Sequence, residues 1–412
     1  MTATMTSETS TGAGASSAEA ADLVLVANAR MPSQRAQSVQ LARAAHAFEE
    51  SGLRTVVIHA RRRDTPSQPA PEVWAQLATG GAPAEGVRAP GLIAANCSDW
   101  IDSVPRKLQF GPARLQEWTF GRNAARIVRE QYKGALVLAR DIEVAHALRR
   151  RGRVGLELHR VPGGSTRRRW LLESVEAGVP IVAISGGVLE DLMELGVAPE
   201  RITVEHDAHD PALEDALPSR ADARERLGLD ATRPVVLYAG GLLHWKGVDV
   251  LVDAVRGGSL DDVQVVIVGG MDADVAALRV RAAGLSNVRI DGFRPAPEIA
   301  AYLAAADIAV VPNRRSPRIS SHYTSPLKVF EAMAARLPLV VSDLPSLRDV
   351  LQDGEAVFVG PEDPAALASG LRGLLDDPGE RERMAARACE TVHGHTWAAR
   401  ARRIVSFLEQ NA

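Results

Sequence analysis

Tyr238-Ala239-Gly240-Gly241-Leu242-Leu243-His244-Trp245-Lys246-Gly247-Val248-Asp249 is the stretch whose reading decides the fold. An apolar run at 235–238 leads into it, and an amphipathic helical pattern at 248–255 leads out. A buried strand that breaks at paired glycines and restarts as a helix opens a doubly wound α/β unit. Ligands of open parallel sheets bind outside the carboxyl ends of the strands, where this turn lies. The pair Gly240 and Gly241 would let the backbone approach a diphosphate, with N–H groups of the turn and helix start facing the anion. Lys246 would add a full positive charge. Taken alone, the string also fits a tight strand-to-helix turn carrying a solvated lysine.

The same alternation extends in both directions. Downstream, apolar runs at 263–268, 288–290, 308–311, 339–341 and 357–359 predict further strands, with a helix at 297–306. Upstream, runs at 23–27, 55–59, 136–138, 154–156 and 180–184 form a separate series, with a helix at 39–50 ending at Gly52. Continuous apolar strands separated by helices imply parallel sheets covered on both faces. A polar stretch at 206–220, bearing Asp and Pro, divides the two series. A chain of 412 residues exceeds one ordinary core. Two Rossmann-like domains are therefore expected at 22–208 and 209–392, after a disordered tail at 1–21 and before a final helix at 397–410.

Composition narrows the function. Apolar residues are 46% and charged residues 24%, the mixture of a soluble globular chain, and a formal charge of −3 gives no reason to expect nucleic acid. The two cysteines, Cys97 and Cys389, are far apart without ligand-like spacing, which argues against a disulfide scaffold or a zinc module. The first 21 residues have no apolar signal region, and no run of about 18 apolar residues occurs, so a cytoplasmic location is expected. Basic residues are nearly all arginine; the only lysines are Lys107, Lys133, Lys246 and Lys328. Lysine kept at two motif positions in such a chain suggests sites that want a compact ammonium.

Lys328 lies in the second string, Thr324-Ser325-Pro326-Leu327-Lys328-Val329-Phe330-Glu331-Ala332-Met333-Ala334-Ala335. Ser325 followed by Pro326 at a first helical position predicts a helix start, whose N–H groups with Lys328 suit phosphate oxygens. Glu331, one turn on, suits the two hydroxyls of a ribose. An amphipathic helix with Lys and Glu facing solvent is the plain alternative.

Together the two strings resemble the family-4 retaining glycosyltransferases of GT-B fold, more narrowly the bacterial members with a Ser-Pro-Leu-Lys-x-Phe-Glu string. Supporting matches are Val26-Ala27-Asn28-Ala29-Arg30-Met31-Pro32, Glu157-Leu158-His159, Ala183-Ile184-Ser185, Leu195-Gly196-Val197, Asp291-Gly292-Phe293, 306–312 and Thr396-Trp397. The resemblance implies two Rossmann-like domains facing across a cleft, with the tail at 393–412 crossing back to the first. It implies transfer of a sugar from a UDP- or GDP-sugar to a glycan, lipid-linked or small-molecule acceptor, with retention and without a required cofactor. The donor residues it implies are Gly240, Gly241, Lys246, Phe293, Arg294, Ser325, Leu327, Lys328 and Glu331, with catalysis resting on Lys246, Glu331 and His159. His159 would reach the donor sugar from the first domain, with Glu157 orienting it; a structural histidine fits that position nearly as well. The sequence departs from the family at Tyr323, where an acidic residue is usual eight positions before Glu331, and at Gly241, where an arginine is usual. Met31-Pro32-Ser33 replaces a glycine-rich loop, and Ala208 replaces a linker glycine.

No carboxylate pair at the roughly 5 Å spacing of retaining hydrolases is evident near the motifs, so the implied chemistry is positional and electrostatic. Asp272-Ala273-Asp274 spells a metal-binding DxD, but it follows Gly269-Gly270 and reads better as a helix N-cap with acidic first-turn residues, so no metal ligands are expected. The triplets Arg61–Arg63, Arg149–Arg151 and Arg167–Arg169 read first as solvated surface; the other reading is peripheral contact with anionic lipid at the inner membrane face. Rival readings are a UDP-sugar 2-epimerase or a phosphorylase on the same fold, and a catalytically silent nucleotide-binding subunit. A dinucleotide dehydrogenase is disfavoured, because no GxGxxG follows the first strand.

Overall fold

A computed structural model of the chain describes residues 21–33, 36–65, 68–77 and 87–412. The tail expected at 1–21 lies outside the described residues apart from Ala21.

Two parallel sheets form the molecule. The first holds β1 (Leu23–Ala27), β2 (Thr55–Ala60), β3 (Gly91–Ala95), β4 (Leu136–Ala139), β5 (Val154–Leu158), β6 (Ile181–Ala183) and β7 (Ile202–Val204), in spatial order β3-β2-β1-β4-β5-β6-β7. The second holds β8 (Val235–Ala239), β9 (Gln264–Val268), β10 (Val288–Gly292), β11 (Ile308–Val311), β12 (Leu339–Ser342) and β13 (Ala356–Val359), in order β10-β9-β8-β11-β12-β13. The strand order reverses between β1 and β4 and again between β8 and β11. Those reversals open a crevice beyond the strand ends in each domain.

Alternation along single strands shows why both faces are covered. Val24 and Val26 of β1 join one apolar cluster, while Leu23, Leu25 and Ala27 join the cluster on the opposite face. In β8, Val235 and Leu237 face one cluster, and Val236 and Tyr238 face the other. Period-2 side chains that are apolar on both sides demand helices above and below.

The last helix, Trp397–Asn411, lies on the first domain: Trp397, Ala401, Ile404 and Leu408 join the cluster under β1. Gly155 in β5 leaves the room it needs, since a Cβ there would stand 2.3 Å from a Leu408 methyl. Just before the helix, Thr396 pairs with His209 of the first crossing. A second contact between the domains is made by a wide helical turn, Ile319–Tyr323. Ser185 Oγ donates to the His322 carbonyl at 2.8 Å, the Gly186 N–H donates to Asp349 at 2.8 Å, and both Tyr323 and Arg318 reach Asp191.

Three local expectations need correction. Helix Leu327–Ala334 starts one residue later than read: Pro326 is its N-cap and Ser325 does not cap it. Met271, not Asp272, caps helix Asp272–Arg281; Asp272 and Asp274 sit in the first turn, where their charge complements the helix dipole. Each arginine triplet gives a member to the fold. Arg62 pairs with Asp99, Arg151 holds the carbonyls of Tyr132, Lys133 and Ala135, and Arg167 pairs with Glu143.

Candidate donor site between the domains

The carboxyl end of β8 builds one wall. Tyr238 is fully buried, and its hydroxyl donates to the Gly241 carbonyl at 2.7 Å while accepting from Lys328 Nζ at 2.9 Å. The tyrosine therefore ties the first string to the second, a link that the strings themselves do not display. Gly240, at φ +147°, lies against the Lys328 amine, 3.3 Å from where a Cβ would stand. A short 3₁₀ turn, His244–Lys246, carries Lys246 Nζ to 3.9 Å from the Trp245 ring. Gly247 ends that turn at φ +66°, and a Cβ there would stand 1.9 Å from the Pro312 carbonyl at the end of β11. The two sides of the switch point touch through a position that only glycine can fill.

Two lysine amines converge here. Among the described residues neither Lys246 nor Lys328 makes an ion pair; burial brings Lys246 down to about 7. Burial and the neighbouring Lys246 charge hold Lys328 well below its ordinary range, with Glu331 opposing them. Two desolvated amines side by side are a site prepared for an anion. Asn313, fully buried just past β11, adds an amide whose oxygen and nitrogen meet no partner among the described residues. Sequence reading passed it over; its only signal is a polar residue directly after a buried strand and Pro312.

Of the other expected residues, Glu331 shares helix Leu327–Ala334 with Lys328 and acts on its charge. Glu331 Oε1 receives Arg43 from the first domain at 3.3 Å. Ser325 Oγ accepts the Asp207 N–H at 2.7 Å, and Leu327 packs into the first domain's cluster. Phe293 is 40% exposed and Arg294 donates to its carbonyl at 3.1 Å; both follow β10, with β9 standing between them and β8.

His159, beyond β5, lies 2.8 Å from Glu157 Oε1 and in contact with Arg140. Burial, then the Arg140 charge, lowers its imidazole to about 4, so the ring is neutral. Burial would raise Glu157, but Arg140 at 3.0 Å and Arg400 at 3.4 Å outweigh it and keep the carboxylate ionised. Asp207, raised by burial to about 6, accepts from Gln40 at 2.5 Å. No contact between His159 and the lysine pair occurs among the described residues.

Comparison with known proteins bears on this geometry. Residues 233–377, which carry both strings, match the family model described as glycosyl transferases group 1. The chain superimposes on sucrose-phosphate synthase from Thermosynechococcus elongatus with a TM-score of 0.71, at 19% identity, covering 94% of this chain and 98% of that one. The fold is GT-B. HepE from Anabaena, solved in complex with UDP and glucose, has the same GT-B arrangement, with a TM-score of 0.69 at 16% identity over 94% of this chain and 99% of that one. In sequence, the chain is 31% identical over 254 residues to D-inositol 3-phosphate glycosyltransferase of Kineococcus radiotolerans, covering 55% of this chain and 56% of the relative. The chain thus spans about half the length of the curated relatives it matches.

Proposed function

We propose that this GT-B chain is a glycosyltransferase that moves a sugar from a nucleoside-diphosphate donor to an acceptor hydroxyl with retention, using no metal in the chemical step. The observation that carries the reading is the pair of amines, Lys246 and Lys328, which make no ion pair among the described residues and stand at the reversal between β8 and β11. The second domain, 209–392, holds the donor and the first, 22–208, the acceptor. As the bond from the anomeric carbon to the diphosphate oxygen breaks, the amines, charged when the diphosphate is bound, neutralise the leaving group. The acceptor oxygen attacks from the same face and passes its proton to a phosphate oxygen. Neutral His159, held by Glu157, offers a hydrogen bond to the sugar from the opposite wall. Glu331 meets the ribose once Arg43 yields.

The donor's nucleoside is uridine or guanosine. The acceptor is a glycan, a lipid-linked sugar or a small molecule. Trp100, Leu108, Phe110 and Trp118 stand exposed on the first domain, with Arg63, Arg114 and Arg122 over the three aromatic rings. This face supports peripheral contact with anionic lipid, and sedimentation with anionic but not neutral vesicles at low salt is expected of it.

A second reading, a silent subunit, draws on the engagement of Glu331 by Arg43 and of Tyr323 by Asp191. Release of nucleoside diphosphate from UDP- and GDP-sugars separates the two. Turnover that falls about 10²–10³-fold in Lys246→Ala supports the transferase, the size being that of losing one preorganised donor. Nucleotide binding without release from any sugar nucleotide supports the silent subunit.

A further inference from the structure

Away from the donor site, where the chain crosses between the domains, three side chains of different chemistry converge. Cys389 and His393 lie four residues apart at the end of helix Pro378–Val392, so they share one face. Glu214 comes from the short helix Ala212–Asp215, which begins the second domain after the first crossing. Cys389 Sγ lies 3.9 Å from His393 Nε2, and that nitrogen lies 3.5 Å from Glu214 Oε2. One ligand atom from each of the three falls within 4.8 Å of the others. Ligands about 2.0–2.3 Å from a tetrahedral zinc ion stand roughly 3.3–3.8 Å apart, so the spacing needs only a small contraction.

We propose that Cys389, His393 and Glu214 bind a divalent cation of the zinc class, which clips the two crossing segments of the hinge together. A thiolate, an imidazole and a carboxylate form a mixed set that suits zinc rather than magnesium or calcium. The site also has its outer support. His209, fully buried, lies with Nε2 3.3 Å from Glu214 Oε1 and Nδ1 3.2 Å from the His395 carbonyl. Buried groups of this kind orient metal-binding side chains. Burial pushes the Cys389 thiol up, and Glu214 adds to this; the Arg336 guanidinium at the sulfur opposes them while competing with the cation. His393 is 55% exposed, which leaves the fourth position to water. Binding would displace the thiol proton to solvent.

The position gives the ion its role. Thr396, three residues past His393, pairs with His209, five residues before Glu214. The cation would therefore fix the exit of the second domain to its entrance and stiffen the hinge. The inference does not depend on the transferase reading, because no residue of the donor site takes part.

The test uses the full chain, reduced and metal-free, titrated with Co²⁺ and then Zn²⁺. One Co²⁺ per chain with a thiolate-to-cobalt charge-transfer band, displaced by Zn²⁺, is expected. The band should persist in Cys97→Ser and vanish in Cys389→Ser. His393→Ala, a change at an exposed position, should weaken Co²⁺ binding at least tenfold. His209→Gln should keep the band and weaken binding about 10–100-fold. Absence of the band at millimolar Co²⁺, its survival in Cys389→Ser, or indifference to His393→Ala would overturn the proposal.

Discussion

Lys246 and Lys328 stand in the unliganded protein as amines that burial discourages from carrying charge, and this gives the site a pH signature. Lys246 falls from an ordinary 10.5 to about 7 in the folded protein. The unfolded chain thus binds more protons between pH 7 and 10.5, and the cost of the buried charge is relieved as pH rises through that window. A bound diphosphate reverses the preference and raises the amine again. Above pH 7 nucleotide binding should therefore take up a proton, and affinity should fall up to about tenfold per pH unit. Calorimetry at pH 8 in two buffers of different ionisation enthalpy measures the uptake; a smaller uptake is expected in Lys246→Ala, where Lys328 remains, and none in the wild type would remove the claim. Both lysines were legible in the sequence, because lysine is rare in this arginine-rich chain and both fall in motif strings. Tyr238, Arg43 and Asn313 were not. The first reads as an ordinary strand residue, the second as an ordinary helix residue, and only folding brings them to Lys328 and Glu331.

Among the elements, the turn His244–Lys246 with Gly247 shows how local sequence sets the site. Gly247→Ala would place a methyl in the Pro312 carbonyl and hold an L-residue at φ +66°. The left-handed backbone alone costs about 1–2 kcal/mol, so a lowered Tm and weakened nucleotide binding together are expected. An unchanged Tm would mean that the turn does not hold Lys246 through that contact. Most strands were legible from continuous apolar runs bounded by glycine and proline. β3 and β7 were not: Gly91–Ala95 opens on glycine with small residues at its end, and Ile202–Val204 is three residues long. Such short segments become strands because a neighbouring edge is available, which is tertiary information. Pro326 was misplaced by one residue for a similar reason, since Ser325 spends its hydroxyl on Asp207 instead of on its own helix.

Across the whole molecule, the returning helix makes the first domain depend on the end of the chain. Arg400, 2% exposed, pairs with buried Glu157 and donates to the carbonyls of His206 and Glu205. Removing one partner of a buried pair costs about 3–5 kcal/mol, so Arg400→Ala should lower Tm and disturb His159 through Glu157. Loss of stability without any change in turnover would separate His159 from catalysis. The two-domain doubly wound architecture was legible from two series of strand and helix divided by a polar linker, and its GT-B character from the resemblance that the two strings carry. The contacts of Tyr323 and Arg318 with Asp191 were not, because they join residues from different domains. The central claim is that the lysine pair holds a nucleoside diphosphate, and the direct measurement is thermal stabilisation by UDP-, GDP-, ADP- and TDP-sugars. At ten to a hundred times the dissociation constant, binding adds about 1.4–2.7 kcal/mol. A shift selective for one nucleotide and lost in Lys246→Ala is the predicted result; no shift with any nucleotide, or an equal shift in the variant, would contradict the account.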